Sequence, residues 1–414
     1  MHSKKILLFK IVTVVIAIVV PFYVAEFFFF RYFVFPTNLI AGYYPFAPAQ
    51  AGSTVRVNQY DFDVAYQFDS QGFRDKEIHF KKNKDEKRIL FVGDSITEGF
   101  GVPVDKRYSD LAATKLGNEY SSINVAQLAT NPDVYFDNVI KFGVALKPDI
   151  VVMGLFMGND FQGGRAYRIP ASYSVNHMID EAVIKSSQSP FIDFLSLKYT
   201  RALVSQVNKK EKKLIKRFVV GNFWDLYFGK KMTKDFFLQV THLNDAEFNN
   251  ITSSFNQKLL PYYFDGKIIP TLLIEGIRDK LSQDKQEQYL YNEADYSNTL
   301  WFIKETQKIL TQAGIQFIVV VIPDVNQVHP DEFQKVLRED FKIKRIPLRL
   351  SQLEELRMRL VEDLEKEHIQ HLDVTDILKA HGGLTYYLYD QHLNTVGHKI
   401  IGDALLNMIK NVMK

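Results

Sequence analysis

The chain has 414 residues, of which 46% are hydrophobic, 24% charged and 14% aromatic. That balance excludes wholesale disorder, collagen-like repeats and low-complexity architecture, and the length suits roughly two to three domains or one domain with a large insertion. A net charge of +3, from 51 basic and 48 acidic residues, gives no reason to expect nucleic acid as a partner; the absence of cysteine excludes disulfides, thiolate zinc sites, iron–sulfur clusters and a cysteine nucleophile.

At the N-terminus, residues 11–25 carry no charge, and extending the run back to Ile6 adds only Lys10. A membrane-spanning helix needs about 20 mostly apolar residues, and a lysine near its edge can snorkel to the headgroups. Phe27 to Phe30, Tyr32 and Phe33 read as an aromatic belt, and Lys4, Lys5 and Lys10 place the N-terminus in the cytoplasm with the remainder outside. The rival is a signal peptide cut after Ala25, but Tyr23 would then stand where a small residue is wanted.

Residues 36–86 read as a linker and lead-in, with Pro36, Pro45 and Pro48 early and a charged stretch late. Five short apolar runs follow, at 88–93, 121–126, 149–156, 315–323 and 368–374, of the kind that parallel strands covered on both faces produce. Helical patterns lie between them. Ser351 with Glu354 reads as a capping box ahead of the stripe Leu353, Leu356, Leu360 and Leu364. Trp301–Ala313 is amphipathic with Gly314 as its stop, and a last helix covers 396–410. The alternation predicts an α/β chain with a parallel doubly wound sheet. The stretch between the third and fourth strands is too long for a connection and predicts an insertion with structure of its own. Its basic run, Lys209 to Arg217, reads as a solvated helix face, with anionic lipid or acidic glycan as the sharper alternative.

Candidate chemistry falls at the carboxyl ends of the strands, where open parallel sheets bind ligands. The first strand ends in Gly93-Asp94-Ser95-Ile96-Thr97, the third in Gly158-Asn159-Asp160, and Asp390-Gln391-His392 follows the fifth. A serine on a tight turn from strand to helix suits a nucleophile whose attack creates an oxyanion, and an asparagine amide could donate to that oxyanion. In an extended segment residues i and i+2 face one side, so Asp390 can orient the His392 ring. Each block alone has a plain alternative: a glycine-rich turn, an Asx turn, an exposed histidine near a helix start. His398 reads as structural.

Taken in order, these blocks resemble the signature blocks of the SGNH/GDSL hydrolases, and above all bacterial membrane-anchored members, which are similar also in Gly72-Phe73-Arg74-Asp75 and in Asp390 to Asn394 with Gly397-His398. The resemblance spans residues 60–160 and 300–410. It implies a flavodoxin-like three-layer sandwich with a parallel five-stranded sheet. It makes Ser95 the nucleophile, His392 the base and Asp390 the residue that orients it. Asp94 supports the turn. The oxyanion hole would take the Ser95 N–H, the Asn159 amide and the N–H of Ala129, which stands where the family has glycine and serves only at negative φ. Met157, where the family's block often has glycine, and the single residue between Asp390 and His392 are further departures. No metal or organic cofactor is implied.

The expected organisation is a cytoplasmic tip and transmembrane anchor over 1–35, the lead-in over 36–86, and a hydrolase-like domain over 87–414 carrying an insertion at 161–296. The expected activity is a serine esterase of the bacterial inner membrane, its catalytic domain extracytoplasmic, removing O-acyl groups, acetyl foremost, from an envelope polysaccharide. O-acyl transfer to such a polysaccharide, a binding module on the same fold, and a lipid esterase are the alternatives.

Overall fold

The computed structural model describes residues 54–128, 130–143, 145–161, 234–264, 267–268, 271–281, 293–343 and 347–413, together with Lys10, Thr13, Ala17, Val20 and Pro21. The chain divides into two units, residues 1–38 with 181–230 and residues 39–180 with 231–414, and the second contains every element described below. Among the described residues no helix is long and apolar enough to cross a membrane. The span expected over 6–25 lies outside them apart from the five residues just named, and the basic run at 209–217 lies wholly outside them.

The segment read as linker carries a β-hairpin. Strands β1 (Thr54–Asn58) and β2 (Asp63–Gln67) pair antiparallel, with Asn58 opposite Asp63 at the turn. Val57, Phe62, Tyr66 and Phe68 bury their side chains against Phe100 and form a small core of their own.

The main sheet contains β3 (Lys87–Val92), β4 (Tyr120–Asn124), β5 (Ile150–Phe156), β6 (Gln316–Ile322) and β7 (His371–Asp373) in the order β4-β3-β5-β6-β7, all parallel. That is the flavodoxin-like order, whose crevice opens beyond the carboxyl ends of β3 and β5. Side chains alternate across the sheet. Ile89, Phe91, Ile150, Val152, Ile318 and Val320 bury on one face with Tyr108 and Ala112 of α2 (Tyr108–Leu116). Leu90, Val92, Val151, Met153, Val319 and Val321 bury on the other with Tyr135 of α3 (Pro132–Asn138). Apolar runs of this kind are what double coverage demands, each large side chain contributing about 1.5–3 kcal/mol on full burial.

The described part of the insertion is helical. Helices α4 (Lys234–Thr241), α5 (Asp245–Thr252), α6 (Leu260–Phe264) and α7 (Thr271–Leu281) pool Phe237, Phe248, Tyr263 and Leu273 with the Ile318 face of the sheet. Helix α8 (Glu293–Gln312) returns to the sheet and stops before Gly314, whose φ of +70° suits the residue beyond a helix end. After β6 come α9 (Val325–Val328), α10 (Pro330–Asp340) and α11 (Pro347–Lys366). Helix α11 begins at Pro347, one turn ahead of the expected capping box, because proline suits a first helical position and leaves Ser351 inside the helix. Its stripe Leu353, Leu356, Leu360 and Leu364 is buried as the spacing predicts. Strand β7 is shorter than the run over 368–374: His368, at φ +54°, closes α11, and the Ile369 N–H still bonds back to Leu364. Helices α12 (Thr375–Lys379) and α13 (Thr395–Val412) complete the chain, with Ile401, Leu405 and Ile409 of α13 on the Ile318 face.

Candidate active site

Strand β3 ends at Val92, and the chain turns through Gly93 and Asp94 into α1, a single helical turn at Ser95–Glu98. Asp94 caps it, its carboxylate accepting the Ile96 N–H at 2.9 Å. Gly99, at φ +82°, ends it in the left-handed region that favours glycine. The turn is tight because Thr97 folds back over β3 and β5: a Cβ on Gly93 would stand 2.2 Å from Thr97 Oγ1, and one on Gly154 would stand 2.1 Å from it. The sequence GDS therefore has a packing reason as well as a chemical one. Ser95 is 5% exposed, and its N–H makes no hydrogen bond among the described residues.

Two buried arginines hold this turn: Arg74, from the block Gly72 to Asp75, and Arg107, which nothing in the local sequence pattern singles out. The Arg74 guanidinium stacks on the Tyr66 ring, 3.5 Å from its centroid, and donates to the carbonyls of Glu98, Gly99 and Val102. The Glu98 carbonyl is one that the end of α1 leaves without a helical partner, and Gly99 and Val102 follow it in the loop. Arg107 donates to Asp110 at 2.8 Å, Asp75 at 3.1 Å and the Arg74 carbonyl at 2.6 Å. Asp75 in turn accepts the Asn124 N–H at 2.6 Å, tying the lead-in to the end of β4. The block Gly72 to Asp75 thus fixes the backbone on which Ser95 sits.

The histidine arrives on a separate loop. Tyr387 N–H donates to the His392 carbonyl at 2.9 Å, Gln391 N–H donates to the Tyr387 carbonyl at 3.0 Å, and Tyr386 bridges Leu393. Gln391 has φ +69°, so Asp390 and His392 meet across a tight turn and not along the extended segment that the spacing suggests. With one residue between them, the two side chains bond only if the chain curls. The outcome is a series: Asp390 Oδ1 lies 2.7 Å from His392 Nδ1, and His392 Nε2 lies 2.7 Å from Ser95 Oγ. Phe100 lies against the imidazole with ring centroids 4.8 Å apart. Burial pushes the His392 pKa down, but the Asp390 charge and hydrogen bond, with Asp94 beyond them, outweigh it and leave the group above the ordinary histidine value. Asn394 then caps α13 by accepting the Val396 and Gly397 N–H groups.

Asn159 sits in the turn after β5 with its amide facing the Asp94 carboxylate, so the first and third blocks touch. Burial pushes the Asp94 carboxyl up to about 6 against the pull of His392, the Ile96 N–H and the Asn159 amide. The role of closing the β5 turn falls to Asp160, which accepts the Phe156 N–H at 2.7 Å and the Tyr135 hydroxyl at 2.7 Å. Met157 continues the sheet, donating its N–H to the Ile322 carbonyl at 2.9 Å, and buries its side chain. Ala129 lies outside the described residues. Beside it, the Leu128 N–H is held by the buried Glu98 carboxylate, whose pKa burial pushes up to about 7 against the opposing charges of Arg74 and Arg107.

Structure thus brings Ser95, His392 and Asp390 into one hydrogen-bonded series and sets Asp94 and Asn159 beside it. His398 stays apart: its Nδ1 accepts the Tyr108 N–H at 3.3 Å, and burial, then Arg107, push its pKa down to about 3. It is a neutral packing group. Among the described residues no group of three or more His, Asp or Glu could hold a metal ion. A hydroxyl, an imidazole and a carboxylate in this order can activate the hydroxyl for attack on a carbonyl.

No protein-family model matches the chain, and no curated protein matches it. Among solved structures it is similar to a GDSL-like lipase from Bacteroides thetaiotaomicron, at 10% identity and a TM-score of 0.35, covering 80% of this chain and 91% of that one. A lipase/acylhydrolase from Enterococcus faecalis is similar at 11% identity and a TM-score of 0.35, covering 78% and 96%. An acetyl xylan esterase is similar at 9% identity and a TM-score of 0.36, covering 78% and 99%. At such distance these likenesses carry no chemistry, which rests on the geometry of Ser95, His392 and Asp390.

Proposed function

We propose that the chain is a serine esterase of the bacterial cell envelope, anchored in the inner membrane by the apolar segment over 6–25 with its catalytic part extracytoplasmic, and that it removes O-acyl groups, acetyl foremost, from an envelope carbohydrate. The observation that carries the reading is the pair of 2.7 Å hydrogen bonds linking Ser95, His392 and Asp390. The membrane and carbohydrate parts rest on the N-terminal charge and hydropathy pattern.

In the proposed reaction His392 Nε2 takes the Ser95 Oγ proton as Oγ bonds to the ester carbonyl carbon. The carbonyl oxygen becomes an oxyanion, for which the Ser95 N–H, without a hydrogen bond among the described residues, and the Asn159 amide are the candidate donors. The ester C–O bond then breaks, the alkoxide leaves with the proton from His392, and the acyl group remains on Ser95. Water gives a proton to His392, attacks the acyl carbon and releases the acid, and the proton returns to Ser95. Asp390 keeps the ring in the tautomer with hydrogen on Nδ1 and stabilises the imidazolium.

A fluorophosphonate probe, which captures only an activated serine, tests the reading on the full-length protein. Labelling is expected for the wild type and lost in Ser95→Ala and His392→Ala. Acetate released from acetylated envelope glycans by the wild type and not by Ser95→Ala would place the substrate. A folded wild type that neither labels nor releases acetate would sink the proposal.

A further inference from the structure

The Asp390 carboxylate has little to aim it. Its Oδ1 bonds His392, and its Oδ2 is buried with no hydrogen-bond partner among the described residues. Its direction therefore depends on its own backbone, which stands next to the left-handed Gln391. A left-handed non-glycine residue is disfavoured by its Cβ and persists only where surrounding bonds impose it.

Part of that imposition comes from far away in sequence. Asp61, on the turn between β1 and β2, places Oδ2 2.8 Å from the Asp390 N and 3.2 Å from the Tyr389 N, accepting both N–H groups. The turn itself is fixed. Gln59 N–H donates to the Phe62 carbonyl at 2.8 Å, and Tyr60 N–H donates to the Lys267 carbonyl at 2.7 Å. The Tyr60 ring meets Tyr389 edge-on, with centroids 5.0 Å apart. The Phe62 ring meets Phe100 at 5.4 Å, and Phe100 is the ring that lies on His392. One side of the hairpin turn thus grips the loop backbone, and the other backs the imidazole.

We propose that Asp61 is a positioning residue for the acid–base loop: its carboxylate, carried in on the hairpin turn, fixes the Tyr389 and Asp390 N–H groups and through them the aim of Asp390 at His392. This rests on the triad reading above. It makes the segment before the sheet a working part of the site. Burial pushes the Asp61 carboxyl up to about 6, and one of its oxygens accepts both N–H groups, so an amide oxygen of the same shape can take its place.

The test compares Asp61→Ala with Asp61→Asn in the full-length protein. Turnover of a small acetyl ester is measured together with the far-downfield proton resonance of the His392 Nδ1–H. Asp61→Ala is expected to lower kcat by about 10- to 100-fold with KM unchanged, the scale of effect that a misplacement near 1 Å produces, and to move the resonance upfield. Asp61→Asn, whose amide oxygen accepts the same two N–H groups, should restore most of both. Wild-type kcat and an unmoved resonance in Asp61→Ala would overturn the proposal. Equal losses in both variants, together with a fall in Tm, would also overturn it, since Asp61 would then serve the fold alone. If the wild type turns over no ester, the esterase reading fails by itself, and the resonance still decides whether Asp61 positions the loop.

Discussion

The two halves of the candidate site are built differently. Ser95 stands on a turn whose contacts are dense and buried: Asp94 caps it, Thr97 locks it between two glycines, Arg74 binds its carbonyls and Arg107 binds the neighbouring Asp75 and Asp110 carboxylates. His392 and Asp390 stand on a loop with a left-handed residue at its centre and anchors from the distant hairpin. Ser95 is held by its own neighbourhood and the His392 loop by a long-range contact. Damage on the first side should therefore register as lost stability, and damage on the second as lost rate in a folded protein.

The sharpest break of that contrast is Asp390→Asn. It leaves the loop's shape but offers Nδ1 the wrong partner, and a fall of about 10⁴ in kcat is expected with little change in Tm. The pH profile supplies the sign. Asp390 raises the His392 pKa, and only the neutral ring can act as base, so kcat/KM for a small acetyl ester climbs as pH passes upward through that raised value. In Asp390→Asn the acid limb should move to lower pH; an unmoved limb would mean that His392 is not the titrating base. Next in size is Arg107→Met. Removing one partner from a buried charge network costs about 3–5 kcal/mol, so urea unfolding should show a loss on that scale. A change under 1 kcal/mol would show that the nucleophile side is no better braced than the other. Smallest is Asn159→Ala, which deletes one oxyanion donor. A 10²- to 10³-fold drop in kcat, about 2.7–4 kcal/mol, is expected with KM nearly unchanged, measured on the same ester.

Much of the sheet was legible because its three central strands are apolar runs with covered faces, and the runs at 88–93, 149–156 and 315–323 fall within one residue of β3, β5 and β6 at each end. Ser95 and Asn159 were legible for a related reason: they sit where β3 and β5 stop, whereas Asp390 and His392 lie past α12, well beyond the end of β7. What escaped reading had no local signature. The hairpin over 54–67 alternates valine and tyrosine with polar residues, yet its prolines upstream drew the segment into a linker. Asp61 is a lone acid in a turn, and its two acceptor bonds reach a segment more than 320 positions away. The curl at Gln391 follows from a side-chain bond that only tertiary contact reveals. Ser351 and Glu354 have the spacing of a cap, but a proline one turn earlier starts the helix first.

The turn that carries Asn159 has one more consequence. The chain leaves the sheet at Phe161 and comes back on α8, where the Tyr296 ring stacks on Phe161 with centroids 5.8 Å apart and the Thr299 hydroxyl donates to the Asp160 carbonyl at 2.8 Å. Departure and return are clasped at one point, so the two ends of the excursion are held together by contacts of their own. Closure entropy grows only with the logarithm of the length enclosed. Changing the number of residues in the excursion should therefore cost little where it is joined, each doubling adding only about 0.6 kcal/mol of closure entropy.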